Sequence, residues 1–308
     1  IRLTVSNSGG SDDETKTHYI AVGNAREPLV TVQSGTVTGG LFYDSPTIWS
    51  ATEFTKTYTL PEAAVGNIQW AKLYVNTYSG SALNTYQLTS TVKFDANGDG
   101  DYDDAGELLG VETMDIGCGT NGISYPLNDH VTKVYSDYEA QYDVTSLITS
   151  ANPKVNVKSD PISGKSFDGR IKAVTLVVAY NDPSSTTQTK YWVNHGHDWS
   201  SPASGSTTFD ATGIPSAWIS AESRIRSLST ADAMYTFNGA SKPNGGSTPN
   251  YDWTNTWDVT ADVNAGTNTI AYSKTSGSYK TDLALLTVTY AAPTAAFTWT
   301  PTSPDKGT

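Results

Sequence analysis

The sequence predicts an all-β fold: two tandem β-sandwiches of jelly-roll or immunoglobulin-like type, with partial β-sandwich strands at both ends. Three observations carry this. Only 16% of the 308 residues are charged, and the polar bulk is Ser, Thr, Asn and Gly, which favour strands and turns. No stretch keeps helical periodicity over three turns with caps; the nearest candidate, residues 218–225, suits a short strand or a single turn equally well. Finally, a β-unit occurs twice, and that repeat divides the middle of the chain in two.

In chain order, residues 1–7 alternate apolar and polar side chains, and residues 18–22 read as a second strand. Leu88, Val92 and Phe94 alternate before an acidic turn, and Leu108-Leu109 follow it, which predicts a hairpin. Tyr142-Asp143-Val144-Thr145 then leads to an apolar run at residues 171–180, and Trp257-Asp258-Val259-Thr260 leads to another at residues 282–290. In each copy the Asp can accept from its own backbone two residues on and start a turn, while the Val faces inward. The closing strand is apolar almost throughout, so it belongs centrally, covered on both faces. Residues 181–187 are polar and broken by Pro183, which places a first sandwich at 24–182 and a second at 183–291. Beyond them, Phe297 and Trp299 alternate with Ala296, Thr298 and Thr300, giving that terminal segment one apolar face.

Two resemblances add to this. The segment PTAAFTWTPTSPDKG resembles the start of a polycystic kidney disease-type (PKD) β-sandwich, and IRLTVSNSGGSDDETKTHYIAV resembles the end of one. The resemblance implies that residues 1–23 close one such domain and residues 292–308 open the next. GTVTGGLFYDSPTIW, QWAKLYVNTYSG and YWVNHGHDW resemble a family of domains in cell-surface proteins of methanogenic archaea, often flanked by PKD modules. That resemblance implies an extracellular, cell-surface location and no known activity.

Net charge is −12, which argues against nucleic acid, since binding its backbone needs clustered Lys and Arg. Cys118 is the sole cysteine, so no intrachain disulfide can form, and it reads as a small buried residue. The segment contains no apolar run long enough to span a membrane, no signal peptide and no Asn-x-Ser/Thr acceptor for glycans. No signature identifies a Lys–Asn cross-link.

The strongest chemical motif runs from Asp95 to Glu107. Asp95, Asn97, Asp99, Asp101 and Asp103 alternate, with Gly100 at the sixth place, as in the first half of a twelve-residue calcium loop. Asp95, Asn97, Asp99 and Asp103 would give side-chain oxygens and Asp101 its carbonyl, with Asp104 or Glu107 completing the shell. The loop departs from the pattern at position twelve, which is Gly106, the acid following as Glu107. The flanks are strand-like, so the setting resembles dockerin and thrombospondin-type loops rather than an EF-hand. Without a cation, six acids in this span repel one another.

His195 and His197, two apart on a strand, point the same way and with Asp198 could chelate zinc; packing beside Trp192 and Trp199 is the plainer reading. Nucleophile elbows, zinc-protease motifs and Cys–His pairs are absent from the sequence, and scattered acids such as Glu53, Glu62 and Glu222 make no recognisable pair, so no enzyme activity is expected. Trp49, Trp70, Tyr74, Tyr78, Tyr86, Tyr251, Trp253 and Trp257 could form a platform for sugar rings, although strand cores use the same residues. The expectation is therefore an extracellular structural protein, a subunit of a surface filament, sheath or stalk. Its copies would be linked end to end by strand pairing through residues 1–22 and 293–308, with Ca²⁺ as cofactor. The alternative is an adhesin module that binds polysaccharide.

Overall fold

The computed structural model describes residues 2–7, 10–15, 26–48, 51–80, 86–114, 125–134, 136–200, 203–246, 252–275 and 279–293. The strand expected at 18–22, Cys118, the tail at 294–308 and two platform aromatics, Trp49 and Tyr251, lie outside them.

Strands β1 (Arg2–Asn7) and β2 (Gly10–Thr15) form an antiparallel hairpin that is a sheet by itself, in register from Arg2 opposite Thr15 to Asn7 opposite Gly10. Next comes β3 (Arg26–Val37). A first half follows: β4 (Gly40–Asp44), β5 (Glu53–Thr57), β6 (Ile68–Tyr78), β7 (Leu88–Asp95), β8 (Leu108–Met114), β9 (Tyr125–Pro126), β10 (Val131–Val134), β11 (Asp137–Asp143), β12 (Lys154–Pro161) and β13 (Arg170–Tyr180). The second half is β14 (Thr187–Ser200), β15 (Ala203–Asp210), β16 (Ser220–Leu228), β17 (Met234–Phe237), β18 (Ala240–Lys242), β19 (Asp252–Asp258), β20 (Thr267–Lys274) and β21 (Tyr279–Ala291). The stretch weighed as a helix thus enters β16; among the described residues the helical content is one 3-10 turn at Glu62–Ala64.

Each half supplies two sheets. The first has a six-stranded sheet in the order β4-β13-β6-β11-β10-β9 and a four-stranded sheet β5-β12-β7-β8. The second has β3-β14-β21-β16-β19 and β15-β20-β17-β18. Read together, β4-β13-β6-β11 corresponds to β14-β21-β16-β19, and β5-β12-β7-β8 to β15-β20-β17-β18, strand for strand in chain order. The shared corner matches to the atom. Asp143 Oδ1 accepts from the Thr145 amide at 3.0 Å, and Asp258 Oδ1 from the Thr260 amide at 2.9 Å. The threonine hydroxyls in turn accept from the amides of Ala71 and Ala221, at 2.8 and 2.9 Å. Val144 and Val259, fully buried, donate their amides to the same two alanines' carbonyls.

Among the described residues, three apolar cores separate the layers. One lies between the sheets of the first half, around Leu73, Val92, Phe94, Val157 and Val174. Another lies between those of the second, around Phe209, Ile225, Trp257, Ile270 and Leu286. The third joins the six-stranded sheet to the five-stranded one, through Val37, Tyr74, Val177, Tyr191, Val193 and Leu283. The result is four stacked layers, and β13 and β21 contribute to a core on each face, as their unbroken apolar runs require.

One segment sits away from its expected place. Residues 26–37, assigned by sequence to the first sandwich, are hydrogen-bonded along β14 from Arg26 opposite Asp198 to Val37 opposite Thr189. The long alternating strand finds a partner more than 150 residues on, where β14 offers fourteen residues of backbone against five in β4.

Candidate functional site

The acidic loop joins β7 to β8. Buried Asp95 ends β7 and accepts from the amides of Gly98 and Gly100 at 2.6 and 3.0 Å, a curl that positive φ at both glycines permits. From there the chain steps round by side-chain turns. Asp99, Asp101 and Asp103 donate their amides to Asn97, Asp99 and Asp101 side-chain oxygens at 2.9, 3.2 and 3.0 Å. Gly106, with φ of +92°, occupies position twelve, and the closing acid follows one place later. The carboxylate of buried Glu107 reaches back to the amides of Ala96 and Asp104, at 3.2 and 3.3 Å. Asn97 Nδ2 donates to Asp99 and Asp104 at 3.0 and 2.7 Å. A cleft of about 110 Å³ is lined by Ala96, Asn97, Asp104, Ala105, Gly106, Glu107 and Leu147. All seven expected ligands therefore share one loop, and their oxygens are of the hard kind that Ca²⁺ takes. Among the described residues, however, no three His, Cys, Asp or Glu side chains converge as a metal-holding group. The carboxylates of Asp95, Asp99, Asp101 and Glu107 accept from the loop's own backbone amides, and that of Asp104 from the Asn97 side chain.

The second site is the polar part of the middle interface. Bulges create it. Both neighbours of β21 skip Asp282: His195 and Arg226 stand opposite Leu283, while Asp198 and Ser227 stand opposite Thr281. The extra residue reverses the alternation, so Asp282 and Lys280 turn toward the first half along with Leu283 and Leu285. Arg226 is 1% exposed, Glu139 1%, Asp282 3% and His195 7%. The Arg226 guanidinium binds Asp282 through both arms, Nε to Oδ1 at 2.8 Å and Nη2 to Oδ2. It also crosses to the first half, donating to Thr175 Oγ1 and, at 3.3 Å, to Glu139 Oε1. His195 Nε2 lies 3.0 Å from the same Glu139 oxygen, and its ring stacks on Tyr74 at 5.0 Å. Beside this network Lys280 pairs with Asp137, and Arg170, Lys172 and Lys280 surround the Tyr78 ring at 4.5, 5.2 and 5.4 Å.

Burial governs the electrostatics here. It pushes Glu139 up to about 7 and Asp282 up to about 6, against the pull of Arg226. It pushes His195 down to about 4 and His197 down to about 3, so both imidazoles are neutral. For Arg226 burial acts to lower the pKa, but Asp282 and Glu139 more than reverse it.

His197 faces the first half as His195 does, its Nδ1 3.4 Å from Thr132, whereas Asp198 accepts from Tyr272 in the second half's own core. The three thus make no zinc trio. The described platform aromatics are spread among the layers: Tyr86 against the first core, Trp257 in the second, Tyr74 and Trp70 at the third. Sequence reading missed Glu139, Arg226 and Asp282. A signal was present: Asp137 and Glu139, and Lys280 and Asp282, are charged residues two apart on one strand, so each pair shares a face.

Asp252 is buried with neither carboxylate oxygen partnered, and burial raises its pKa well above the usual range. A raised carboxylate contributes stability that is lost as pH climbs above its unfolded value of 3.8. Asp252→Asn is therefore expected to raise the melting temperature at pH 8, with the gain shrinking toward pH 4. An unchanged difference across that range would refute the assignment.

No curated protein matches the sequence. Among solved structures, a peptide-N(4)-(N-acetyl-β-D-glucosaminyl) asparagine amidase is similar at TM-score 0.29 and 11% identity, covering 86% of this chain and 98% of that one. PNGase F, a glycosylasparaginase from Flavobacterium meningosepticum, follows at 0.28 and 10%, covering 85% and 98%. A β-porphyranase from the gut bacterium Bacteroides plebeius stands at 0.24 and 13%, covering 89% and 38%. Likenesses this weak carry no argument about activity. The family described as "Protein of unknown function (DUF3344)" matches residues 17–289, and the chain belongs to it.

Proposed function

We propose that this chain is a non-catalytic structural unit of an extracellular, cell-surface assembly, two jelly rolls fused face to face and coupled to further copies by strand pairing. The strand orders support the jelly-roll reading, since each half interleaves early and late strands in two four-stranded sets. The observation that carries the coupling is the β1–β2 hairpin, a two-stranded sheet of its own outside the four layers. A lone hairpin is marginal in water, and its open backbone edges are a template for another strand. The alternation of Phe297 and Trp299 with Ala296, Thr298 and Thr300 would supply such a strand, with side chains to fix the register. Residues 293–308 of one copy would then lie along residues 1–22 of the next, as PKD-like domains completed between units.

The full chain is expected to form linear oligomers by light scattering and electron microscopy. The chain lacking residues 293–308 should stay monomeric with unchanged circular dichroism. Assembly by the shortened chain would sink this reading, and glycan-array binding by a strictly monomeric full chain would favour the polysaccharide-binding alternative.

The acidic loop fits the same setting as a Ca²⁺ site, with Asp95, Asn97, Asp99, Asp101 and Asp103 as ligands and Asp104 or Glu107 completing the shell. Binding would turn the Asp99 and Asp101 carboxylates from the amides they now accept. Calorimetric titration with CaCl₂ should show one site, lost in Asp99→Asn/Asp103→Asn, and a chelator should loosen β7–β8 before the rest in hydrogen exchange. No heat and no change in melting temperature would remove calcium from the account.

A further inference from the structure

We propose that Lys280 and Asp137 become joined by an intramolecular amide bond, a covalent cross-link between β21 of the second half and β11 of the first. The two side chains meet at the middle interface, Lys280 Nζ donating to Asp137 Oδ2 across 143 residues of chain. Both are buried, at 6% and 1% exposure, and the other Asp137 oxygen has no partner. Asp137 stands opposite Tyr78 in the β11–β6 register, and the Tyr78 ring also faces Lys280, so an aromatic wall flanks the pair.

An ion pair in such a place carries the desolvation cost of both charges. The amide carries neither. Holding amine and carboxyl in contact also replaces a bimolecular encounter with an intramolecular one, which accelerates acyl chemistry by many orders of magnitude.

The step balances without any co-reactant. Within the pair one proton passes from the ammonium to the carboxylate, leaving a neutral amine and a carboxylic acid. The nitrogen lone pair attacks Cγ and forms the new C–N bond. A second nitrogen proton moves to the departing hydroxyl, the C–O bond breaks, and one water leaves. Nothing is oxidised or reduced.

His197, buried with its Nε2 unpartnered, is neutral and so adds no competing charge beside Lys280. The inference does not depend on self-association.

The test is intact-mass spectrometry of the full chain under denaturing conditions, followed by proteolytic mapping. The wild-type chain is expected one water lighter than its sequence, with a branched peptide joining the segments that hold Asp137 and Lys280. Lys280→Arg keeps the positive charge but cannot form the bond. It should show the full sequence mass, no branched peptide, and a melting temperature lower by roughly 10 °C, because a long loop is no longer closed. Asp137→Asn should lose ammonia in place of water, a signature that no purely structural role would give. Full mass and only linear peptides from the wild-type chain would overturn the proposal, whatever the variants do.

Discussion

Arg226→Met is expected to destabilise the protein by about 3–5 kcal/mol, the usual cost of removing one partner from a buried charge network. The guanidinium binds Glu139, Asp282 and Thr175 at once, and it crosses from the second half to the first to do so. Without it two carboxyl groups remain at the interface, of which Glu139 keeps His195 as a partner. Urea unfolding at pH 7 measures the loss. The triple variant Arg226→Met, Glu139→Gln, Asp282→Asn should recover most of it, since neutral groups of the same shape leave no uncompensated charge. If the single variant lies within 1 kcal/mol of wild type, the network is not what holds the halves together.

The second large effect is acid lability with a defined shape. His195 and His197 have folded pKa values of about 4 and about 3 against 6.5 unfolded. A depressed imidazole means that the unfolded chain takes up protons first, so these two contribute stability above 6.5 that is lost as pH falls toward 3. Glu139 and Asp282 act oppositely. Their folded values, about 7 and about 6, lie above the unfolded 4.5 and 3.8, so they contribute stability at low pH that is lost as pH rises. Between roughly 4.5 and 6 the two pairs offset one another. Below 4.5 the carboxyls of both states are increasingly protonated and the histidine effect stands alone, at about 1.4 kcal/mol for each unit of separation. Stability plotted against pH should thus be nearly flat from 4.5 to 6 and fall steeply below 4.5. His197→Asn should soften that acid limb. A steady decline from pH 7 downward would contradict the assignment of the buried carboxyls.

Much of the fold was legible. Alternation and the repeated Asp-Val-Thr corner locate β11, β13, β19 and β21, because the pattern encodes a local event: an Asp accepting from the amide two residues on. The acidic loop was legible for the same reason, its spacing and glycines acting within thirteen residues. What escaped was non-local. Nothing in residues 26–37 says that β14 rather than β4 is their partner, because alternation fits any sheet edge. Nor does spacing reveal the skipped residue at Asp282, which alone brings Asp282, Arg226 and Glu139 to one face. A bulge is decided by two strands together, and one strand's sequence carries half of that information.

The excursion of β3 also bears on how the protein is made. During synthesis β3 emerges before the whole of the first half, yet the strand it pairs with begins at Thr187. The first half can complete its two sheets while β3 waits beside it as an unpaired strand, with Val30 and Val32 exposed even in the finished fold. On a polysome such strands from neighbouring nascent chains are held close together, and each is a ready partner for a β14 that belongs to another copy. Faithful folding therefore depends on β14 leaving the ribosome before a neighbour's does, and slow codons near residues 181–187 would raise the yield of exchanged dimers.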